Sequence, residues 1–299
     1  MNFIKPGTQI PFLRYRQVGF VTSSLLILAI LLLLFTKGPK LGVDFAGGTM
    51  VQLKFNPKIT ISELRRALAE SDLHDSVVQD FGGAGSGEFL IHLQTTSAQL
   101  ATVGKKFRRS LSDHFGPERF EIRRTESVGP KVGKDLRERG TLSVIFATIM
   151  MGAYIWFRFE LRFGVGAVVA LIHDVLVTIG ALVLANYEFD LPTVAALLTI
   201  AGYSVNDTVV VCDRIRENMR KRRRDALEKI VNASINETLG RTILTTITTL
   251  LVLFALLVLG GGVIRPFAFA LLVGFTSGIY STIFIATPTI LLWEKGRGR

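Results

Sequence analysis

Cysteine and charged residues are both scarce in this sequence, and each scarcity excludes a class of protein. The single cysteine, Cys212, cannot form an intramolecular disulfide bond, which excludes a disulfide-stabilised scaffold. Charged residues make up 20% of the 299 residues, whereas a soluble domain usually has about 25%. None of them lies in residues 18–35 or 141–157. Because 49% of the residues are hydrophobic and the mean hydropathy is +0.41, we expect neither an ordinary soluble enzyme nor a disordered chain.

Motifs of several enzyme classes are also missing. The chain has no G-x-x-x-x-G-K-[ST] loop for nucleotide phosphates and no H-E-x-x-H zinc motif. It has no C-x-x-C pair and no G-x-S-x-G nucleophile turn either. We therefore expect no covalent catalysis, no metal site and no organic cofactor.

Long hydrophobic segments predict six membrane spans, because about 20 apolar residues cross a bilayer. The six segments are Val18–Phe35, Thr141–Phe157, Phe163–Ala185, Leu191–Val211, Thr242–Gly260 and Pro266–Trp293. The first is too long for the core of a signal peptide, so we expect it to remain as a span. The sequence thus predicts an N-terminus and first span in residues 1–36, a polar domain in 37–140, five spans in 141–293 and a tail in 294–299.

Lysine and arginine in the short loops predict the orientation, since cytoplasmic loops are enriched in these residues. Basic residues cluster before the first span, in residues 158–162, in residues 214–229 and in the tail, whereas the loop at residues 186–190 has none. We therefore place both termini in the cytoplasm and the polar domain outside. The net charge of +11 is accordingly assigned to membrane topology and not to nucleic-acid binding.

Residues 37–140 alternate between strand-like and helix-like patterns. Strand patterns occur at residues 49–55, 76–81, 88–94 and 120–124, and helical spacing occurs at residues 61–70 and 97–115. Thr60 and Glu63 form a capping-box pattern before the first of these helices. The order βαββαβ predicts an α+β ferredoxin-like domain, the split βαβ fold. His74, His92 and His114 are scattered, so we expect surface or packing roles for them.

Four ionisable residues lie within or at the ends of the spans. His173 and Asp174 lie in the third span, Asp207 lies in the fourth, and Arg241 precedes the fifth. A charged side chain at the bilayer centre costs about 2.5–3.5 kcal/mol, so such a residue is a candidate for function. The alternative is structural: the carboxylates would join helices through hydrogen bonds, and Arg241 would anchor its helix at the membrane interface.

Asp207 and Arg241 together suggest a two-state switch. They lie on consecutive antiparallel spans, both in the cytoplasmic half, so an ion pair forms if the two helices are neighbours. Burial favours the neutral carboxyl group whereas a guanidinium favours the charged one, so proton uptake would compete with the ion pair. Asn206 and Thr208, on either side of Asp207, are the expected supporting polar residues.

Several longer motifs resemble those of one protein family. The run G-V-D-F-A-G-G-T at residues 42–49 resembles the first signature of the SecD/SecF proteins, and residues 127–133 resemble their V-G-P segment. Residues 191–218 and 236–242 are similar to the fourth-span and fifth-span blocks of the SecF-type members. The signature positions are Gly42, Asp44, Gly47, Gly48, Gly129 and Pro130. The likeness covers nearly the whole chain, and from the chain length we expect no fusion with a SecD-type subunit.

The resemblance implies a subunit of the bacterial protein export machinery in the inner membrane. Such a subunit pairs with SecD, in an arrangement related to resistance-nodulation-division (RND) transporters. The pair uses the proton as coupling ion to help unfolded preproteins leave the SecYEG channel at a late, extracytoplasmic step, while the ATPase SecA pushes from the cytoplasm. YajC and YidC are further implied partners. Family positions implicated in proton passage map onto Asp207 and Arg241, and Asp174 is a further candidate.

Three alternatives remain open from the residues alone. An RND-type exporter of lipid or small molecules shares the predicted architecture, although one small outer domain offers little room for a substrate tunnel. An intramembrane aspartyl protease would use Asp174 and Asp207, but such enzymes have Gly-x-Gly-Asp where this chain has Ser-Val-Asn-Asp. The third alternative is a purely structural assembly subunit.

Overall fold

The computed structural model describes residues 9–71, 73, 76–81, 87–93 and 100–296. The chain divides into two compact units. The membrane unit comprises the residues up to Lys40, Leu142–Glu188 and those from Pro192 onward; the small unit comprises Leu41–Thr141 and Phe189–Leu191. Sequence predictions for residues 1–8, 72, 74–75, 82–86, 94–99 and 297–299 lie outside the described residues.

The secondary structure of the described residues is helical in the membrane unit and mixed in the small unit. The helices are α1 (Arg16–Thr36), α2 (Val43–Ala46), α3 (Ile61–Ala69), α4 (Leu100–Phe115), α5 (Pro130–Arg158), α6 (Leu161–Leu184), α7 (Leu191–Lys221), α8 (Leu227–Leu259), α9 (Gly261–Ser281) and α10 (Thr287–Gly296). The strands are β1 (Lys40–Leu41), β2 (Gly48–Phe55), β3 (Val77–Phe81), β4 (Glu88–Leu93), β5 (Phe120–Val128) and β6 (Glu188–Phe189). A 3₁₀ turn at Phe12–Tyr15 precedes α1, and a π-helical turn at Thr282–Ala286 joins α9 to α10.

Six helical segments of the described chain are long and apolar enough to cross a membrane, which confirms the predicted number of spans. Three of these helices are longer than their apolar parts. α5 begins at Pro130, α7 continues to Lys221, and α8 begins at Leu227. Hydropathy detects only the apolar part of a helix, so it missed these polar ends. Arg241, which precedes the apolar segment of the fifth span, therefore lies inside α8 and not at the start of the helix.

Glu237 joins the polar ends of α7 and α8. Its Oε2 accepts hydrogen bonds from Arg214 Nε at 2.6 Å and from Asn218 Nδ2 at 2.7 Å. Its Oε1 accepts one from Arg222 Nη2 at 3.0 Å, and Asn218 Nδ2 also donates to Ser234 Oγ at 3.0 Å. Charge-assisted hydrogen bonds of this kind are stronger than neutral ones. They explain why the two helices extend beyond their apolar segments.

The interior of the membrane unit is formed mainly by α6 and by the last span, Ile264–Trp293. In the apolar stretch of each of these two spans, 56% and 61% of the residues are buried. The corresponding fractions are 17% for the first span and for α8, and 11% for α5. Glycine permits close helix packing there. A Cβ atom on Gly274 would clash with Ile200 Cδ1, and one on Gly166 would lie 2.9 Å from the carbonyl oxygen of Ala286. The polar residues described below lie on these buried helices.

The small unit contains a four-stranded antiparallel sheet in the order β3-β4-β2-β5. β2 is central: Val51 pairs with Ile91 of β4 on one side and with Thr125 of β5 on the other. α3 and α4 cover one face, and their leucine and phenylalanine side chains pack against buried residues of the strands. The predicted order of strands and helices is thus observed. β5 is longer than predicted, because its alternation continues through charged residues.

The capping box of α3 gives a test of the small unit. Thr60 Oγ1 accepts from the Glu63 amide at 3.3 Å, and the Thr60 amide donates to Glu63 Oε2 at 2.7 Å. We expect Thr60→Ala to destabilise α3 by about 1 kcal/mol, seen as faster amide hydrogen exchange in residues 61–69. Thr125→Ala, an exposed change on β5, is the matched control and should leave that exchange unchanged.

The same cap predicts a pH dependence. The hydrogen bond from the Thr60 backbone, and that from its side chain, lower the pKa of Glu63 below its ordinary value. A carboxyl group whose pKa is lower in the folded state stabilises the fold above its unfolded pKa. The protection of α3 should therefore be constant at neutral pH and fall as the pH drops below about 4.3. Equal exchange protection at pH 7 and pH 3 would contradict this role.

Candidate site in the membrane helices

Asp174 on α6 is a fully buried carboxylate, with 0% exposure, enclosed by hydrogen-bond donors. Its Oδ1 accepts from Ser277 Oγ at 2.6 Å and lies 3.1 Å from His173 Nδ1. Its Oδ2 accepts from Ser204 Oγ and from Ser281 Oγ, each at 2.7 Å. A buried charge is tolerated only when it is paired or hydrogen-bonded. The three serine hydroxyls meet that need and join α6 to α7 and α9.

His173 extends this polar region toward α1. Its ring stacks on Tyr280, with the ring centroids 6.0 Å apart. The Tyr280 hydroxyl donates to the carbonyl oxygen of Gly19 at 2.8 Å and accepts from Ser23 Oγ at 3.0 Å. His173 Nε2 is buried and has no hydrogen-bond partner among the described residues. The His173–Asp174 pair is therefore part of a polar region that crosses the helix bundle.

Asp207 on α7 has a much less complete environment. Its Oδ1 accepts from Thr242 Oγ1 of α8 at 2.6 Å. Its Oδ2 is buried without a hydrogen-bond partner in the described part of the chain. The neighbouring Thr208 hydroxyl lies 3.0 Å from that of Thr282, so Thr208 faces the last span. Asn206 is exposed on the side of α7. One oxygen of Asp207 can thus take up a proton without displacing another donor.

Arg241 does not form the ion pair with Asp207 that the sequence predicted. Within the described residues, no nitrogen of Arg241 lies within 4.0 Å of a carboxylate oxygen, and the side chain is exposed. The reason is the helical register: Thr242, one residue further along α8, is the residue whose side chain meets α7. The two residues nevertheless lie on neighbouring stretches of α7 and α8, with Arg241 on the outer face of the bundle.

The two membrane carboxylates have separate hydrogen-bond partners. Asp174 is bonded to serines, whereas Asp207 is bonded to Thr242. A protease of the aspartyl type needs two carboxylates that share one site, and this arrangement does not favour it. A filled set of donors suits a structural carboxylate, whereas an incomplete set suits one that gains and loses a proton.

The signature loop, residues 42–48, lies in the small unit. The Gly42 amide donates to the carbonyl oxygen of Phe189 at 2.7 Å, and Asp44 Oδ2 accepts from the Leu191 amide at 3.0 Å. Gly47 and Gly48 have φ values of +76° and +116°, a backbone conformation that residues other than glycine rarely adopt. They follow α2 directly and lead into β2.

The remaining signature residues, Gly129 and Pro130, lie where β5 ends and α5 begins. The Gly133 amide donates to the carbonyl oxygen of Gly129 at 2.9 Å, which closes the first turn of α5. A Cβ atom on Gly47 would lie 2.8 Å from Pro130 Cα. The two signature segments are therefore packed against each other.

Sequence reasoning missed the three serines that bind Asp174 and the threonine that binds Asp207. Ser277 and Ser281 are four residues apart, so they lie on one helix face, and that spacing was the available signal. No comparable signal linked Thr242 to Asp207, because contacts between helices depend on their register. Among the described residues, no group of three or more His, Cys, Asp or Glu side chains is placed to hold a metal ion.

Comparison with protein families matches most of this chain. Residues 108–296 match the family described as protein export membrane protein SecD/SecF, C-terminal. Residues 32–59 match the SecD/SecF GG motif. The chain is 44% identical to the protein translocase subunit SecF of Desulfurispirillum indicum over 95% of this chain and 92% of the relative. It is 45% identical to that of Magnetococcus marinus over 100% of this chain and 96% of the relative.

Solved structures with a similar fold include SecDF, a translocon-associated membrane protein, from Thermus thermophilus. The TM-score is 0.87 at 34% identity, over 97% of this chain and 39% of that one. A second SecDF structure, in a super-membrane-facing form, has a TM-score of 0.72 at 35% identity and covers 100% of this chain and 40% of its own. This chain thus spans about two fifths of the SecDF chains that it matches.

The serines around Asp174 give a test of the structural role of that carboxylate. Removing one donor from a buried charged group costs about 1–3 kcal/mol. We therefore expect Ser277→Ala and Ser281→Ala each to lower the thermal stability of the detergent-solubilised protein. Thr276→Ala is the matched control, because Thr276 is exposed and its hydroxyl donates to the Leu272 carbonyl of its own helix. Equal melting temperatures in all three variants would show that the serines do not stabilise the bundle.

Proposed function

Because this chain belongs to the SecF proteins of the SecD/SecF family of protein translocase subunits, we propose that it couples the proton-motive force to preprotein export. It does so together with SecD, at a late, extracytoplasmic step after the polypeptide enters the SecYEG channel. The relatives named SecF and the solved SecDF chains support this proposal. The SecDF chains are more than twice as long as this chain. We assign their additional part to a separate partner, SecD.

The observation that carries the proposal is the incomplete hydrogen bonding of the Asp207 carboxylate. One of its oxygens is buried without a partner, and Arg241 is exposed on a helix that is apolar enough to span the membrane. A charged side chain is costly where it faces lipid, so charged residues of membrane proteins face protein or water. A carboxylate from SecD opposite Arg241 would supply the missing charge. The site is then completed only in the complex.

Proton binding at Asp207 is the proposed switch. The Thr242 hydroxyl donates to the charged carboxylate, and protonation of the free oxygen would neutralise that carboxylate and weaken its attraction to Arg241. A proton that crosses about 150 mV releases about 3.5 kcal/mol. That energy shifts a two-state equilibrium several-hundredfold, which is enough to bias the position of an outer domain. Asp174 is the second candidate for proton binding, although its full set of donors favours a supporting role.

The proposed architecture follows the sequence predictions. The strand order β3-β4-β2-β5 with all neighbours antiparallel supports a ferredoxin-like domain in residues 37–140, which we place in the periplasm. Residues 141–293 carry the further five spans of an RND-like half, and residues 1–36 and 294–299 provide the cytoplasmic ends. SecA, YajC and YidC are proposed as further members of the same machinery, and nucleic acid is not a proposed partner.

Substitution of Asp207 tests the switch. Asp207→Asn removes the titrating oxygen and should abolish the gradient-stimulated part of preprotein secretion, while the ATP-driven part continues. Thr242→Val removes the hydroxyl that binds Asp207 and should reduce the gradient response, and Thr242→Ser should restore it. The measurement is secretion into membrane vesicles with and without an imposed proton gradient, at matched protein levels.

The control variant for this experiment is Thr248→Val. Thr248 lies on the same helix, but it is exposed and its hydroxyl donates to the Leu244 carbonyl of its own helix at 3.0 Å. It should leave the gradient response unchanged. A full gradient response in Asp207→Asn would show that the switch lies elsewhere, and Asp174 would be tested next.

The proposed orientation can be tested with single cysteines. On a Cys212→Ala background, Thr125→Cys reports on β5 and Arg224→Cys on the loop between α7 and α8; both positions are exposed. An impermeant thiol reagent added to spheroplasts should label position 125 and not position 224. After membrane permeabilisation both should be labelled. The opposite pattern in intact spheroplasts would reverse the topology.

A further inference from the structure

The signature loop contacts the start of α7, the helix that carries Asp207. Leu191 is the first residue of α7, and its amide donates to Asp44 Oδ2 at 3.0 Å. Two residues earlier, the carbonyl oxygen of Phe189 accepts from the Gly42 amide at 2.7 Å. These hydrogen bonds lie on both sides of the point where the chain enters α7. The start of the helix is thus held by the signature loop.

The carboxylate of Asp44 acts there as a helix cap supplied by a distant part of the chain. The first amides of a helix have no partner within the helix, and Pro192 has no amide hydrogen to donate. A carboxylate beside the first turn also matches the positive end of the helix dipole. Asp44 and Leu191 are 147 residues apart in sequence. Because the cap comes from so far away in the sequence, it stabilises the start of α7 and also joins it to the signature loop.

The other side of the signature loop is fixed to the sheet. Val43 and Phe45 are buried, each with 6% exposure, and Gly48 begins the central strand β2. A Cβ atom on Gly133 would lie 2.9 Å from the Gly47 amide nitrogen, so the loop also touches the first turns of α5. These contacts link the loop to β2 and to the start of α5.

The helix that begins at Leu191 continues without interruption to Lys221. Asp207 lies 16 residues after Leu191, which is about 24 Å along the axis at 1.5 Å per residue. A continuous helix of this length transmits an axial shift or a rotation from one point to the other. Movement of α7 at Asp207 therefore reaches the Asp44 carboxylate.

We propose that Asp44 is a positioning residue that transmits the movement of α7 to the small domain. The hydrogen bond to the Leu191 amide pulls the signature loop with the helix, and the loop moves β2. This inference rests on the proposed proton switch at Asp207, but the tether itself is a property of the fold and can be measured separately. It gives the aspartate of the signature a mechanical role.

The test uses the co-purified complex with SecD in proteoliposomes and has two readouts. The first is amide hydrogen exchange in residues 189–193, and the second is gradient-stimulated secretion. Asp44→Ala should accelerate exchange about fivefold, as expected for the loss of a helix cap. It should also remove most of the gradient response while ATP-driven secretion continues. Asp44→Asn keeps an oxygen that accepts from Leu191 and should restore both readouts. Asp80→Ala, an exposed change on β3, should alter neither.

Each other result overturns a defined part of the inference. Unchanged exchange in Asp44→Ala would show that Asp44 does not hold the start of α7. The same conclusion would follow if Asp44→Asn and Asp44→Ala lost equal amounts of exchange protection and gradient response at normal protein levels. Faster exchange together with a full gradient response would show that the tether transmits nothing. If Asp207→Asn, measured in parallel, keeps its gradient response, the proposed switch fails, and the exchange rates still decide whether Asp44 holds α7.

Discussion

The membrane unit depends on the need to satisfy a carboxylate that is buried away from solvent. Asp174 is completely buried, and its two oxygens are satisfied by serines from α7 and α9 and approached by the adjacent histidine. Because an unsatisfied buried charge is so costly, this set of bonds restricts how α6, α7 and α9 can pack. The glycines of these helices then allow the close approach that the bonds require. The close packing at glycine and the hydrogen bonds to Asp174 therefore favour the same arrangement of α6, α7 and α9.

Asp207 differs from Asp174 because its hydrogen bonding is incomplete. It has one donor, Thr242, and one buried oxygen without a partner in the described chain. The nearby guanidinium of Arg241 is exposed. An exposed guanidinium on a helix that spans the membrane needs a negative group beside it, and the proposed carboxylate of SecD fits that need. In the proposed mechanism, Asp174 stabilises the bundle and Asp207 binds the coupling proton.

Helix α7 connects the three regions on which the proposals depend. Ser204 of α7 binds Asp174, Asp207 of α7 is the proposed proton site, and the first amide of α7 is held by Asp44. A single rigid helix therefore passes from the buried serine site to the signature loop. Its extension to Lys221, fixed to α8 through Glu237, adds stiffness at the other end. The proposed coupling needs no other long-range element.

The sequence by itself determined the six spans, the order of strands and helices in the small domain, and the family, because hydropathy, periodicity and long motifs are local properties. It also located Asp174, Asp207 and Arg241, since charged residues within apolar runs are conspicuous. It could not determine which side chains meet. The register between α7 and α8 places Thr242 and not Arg241 against Asp207, and the packing of α9 brings Ser277 and Ser281 to Asp174. Only the tertiary structure decided these contacts, because they depend on the rotation and depth of each helix relative to its neighbours, which no single segment encodes.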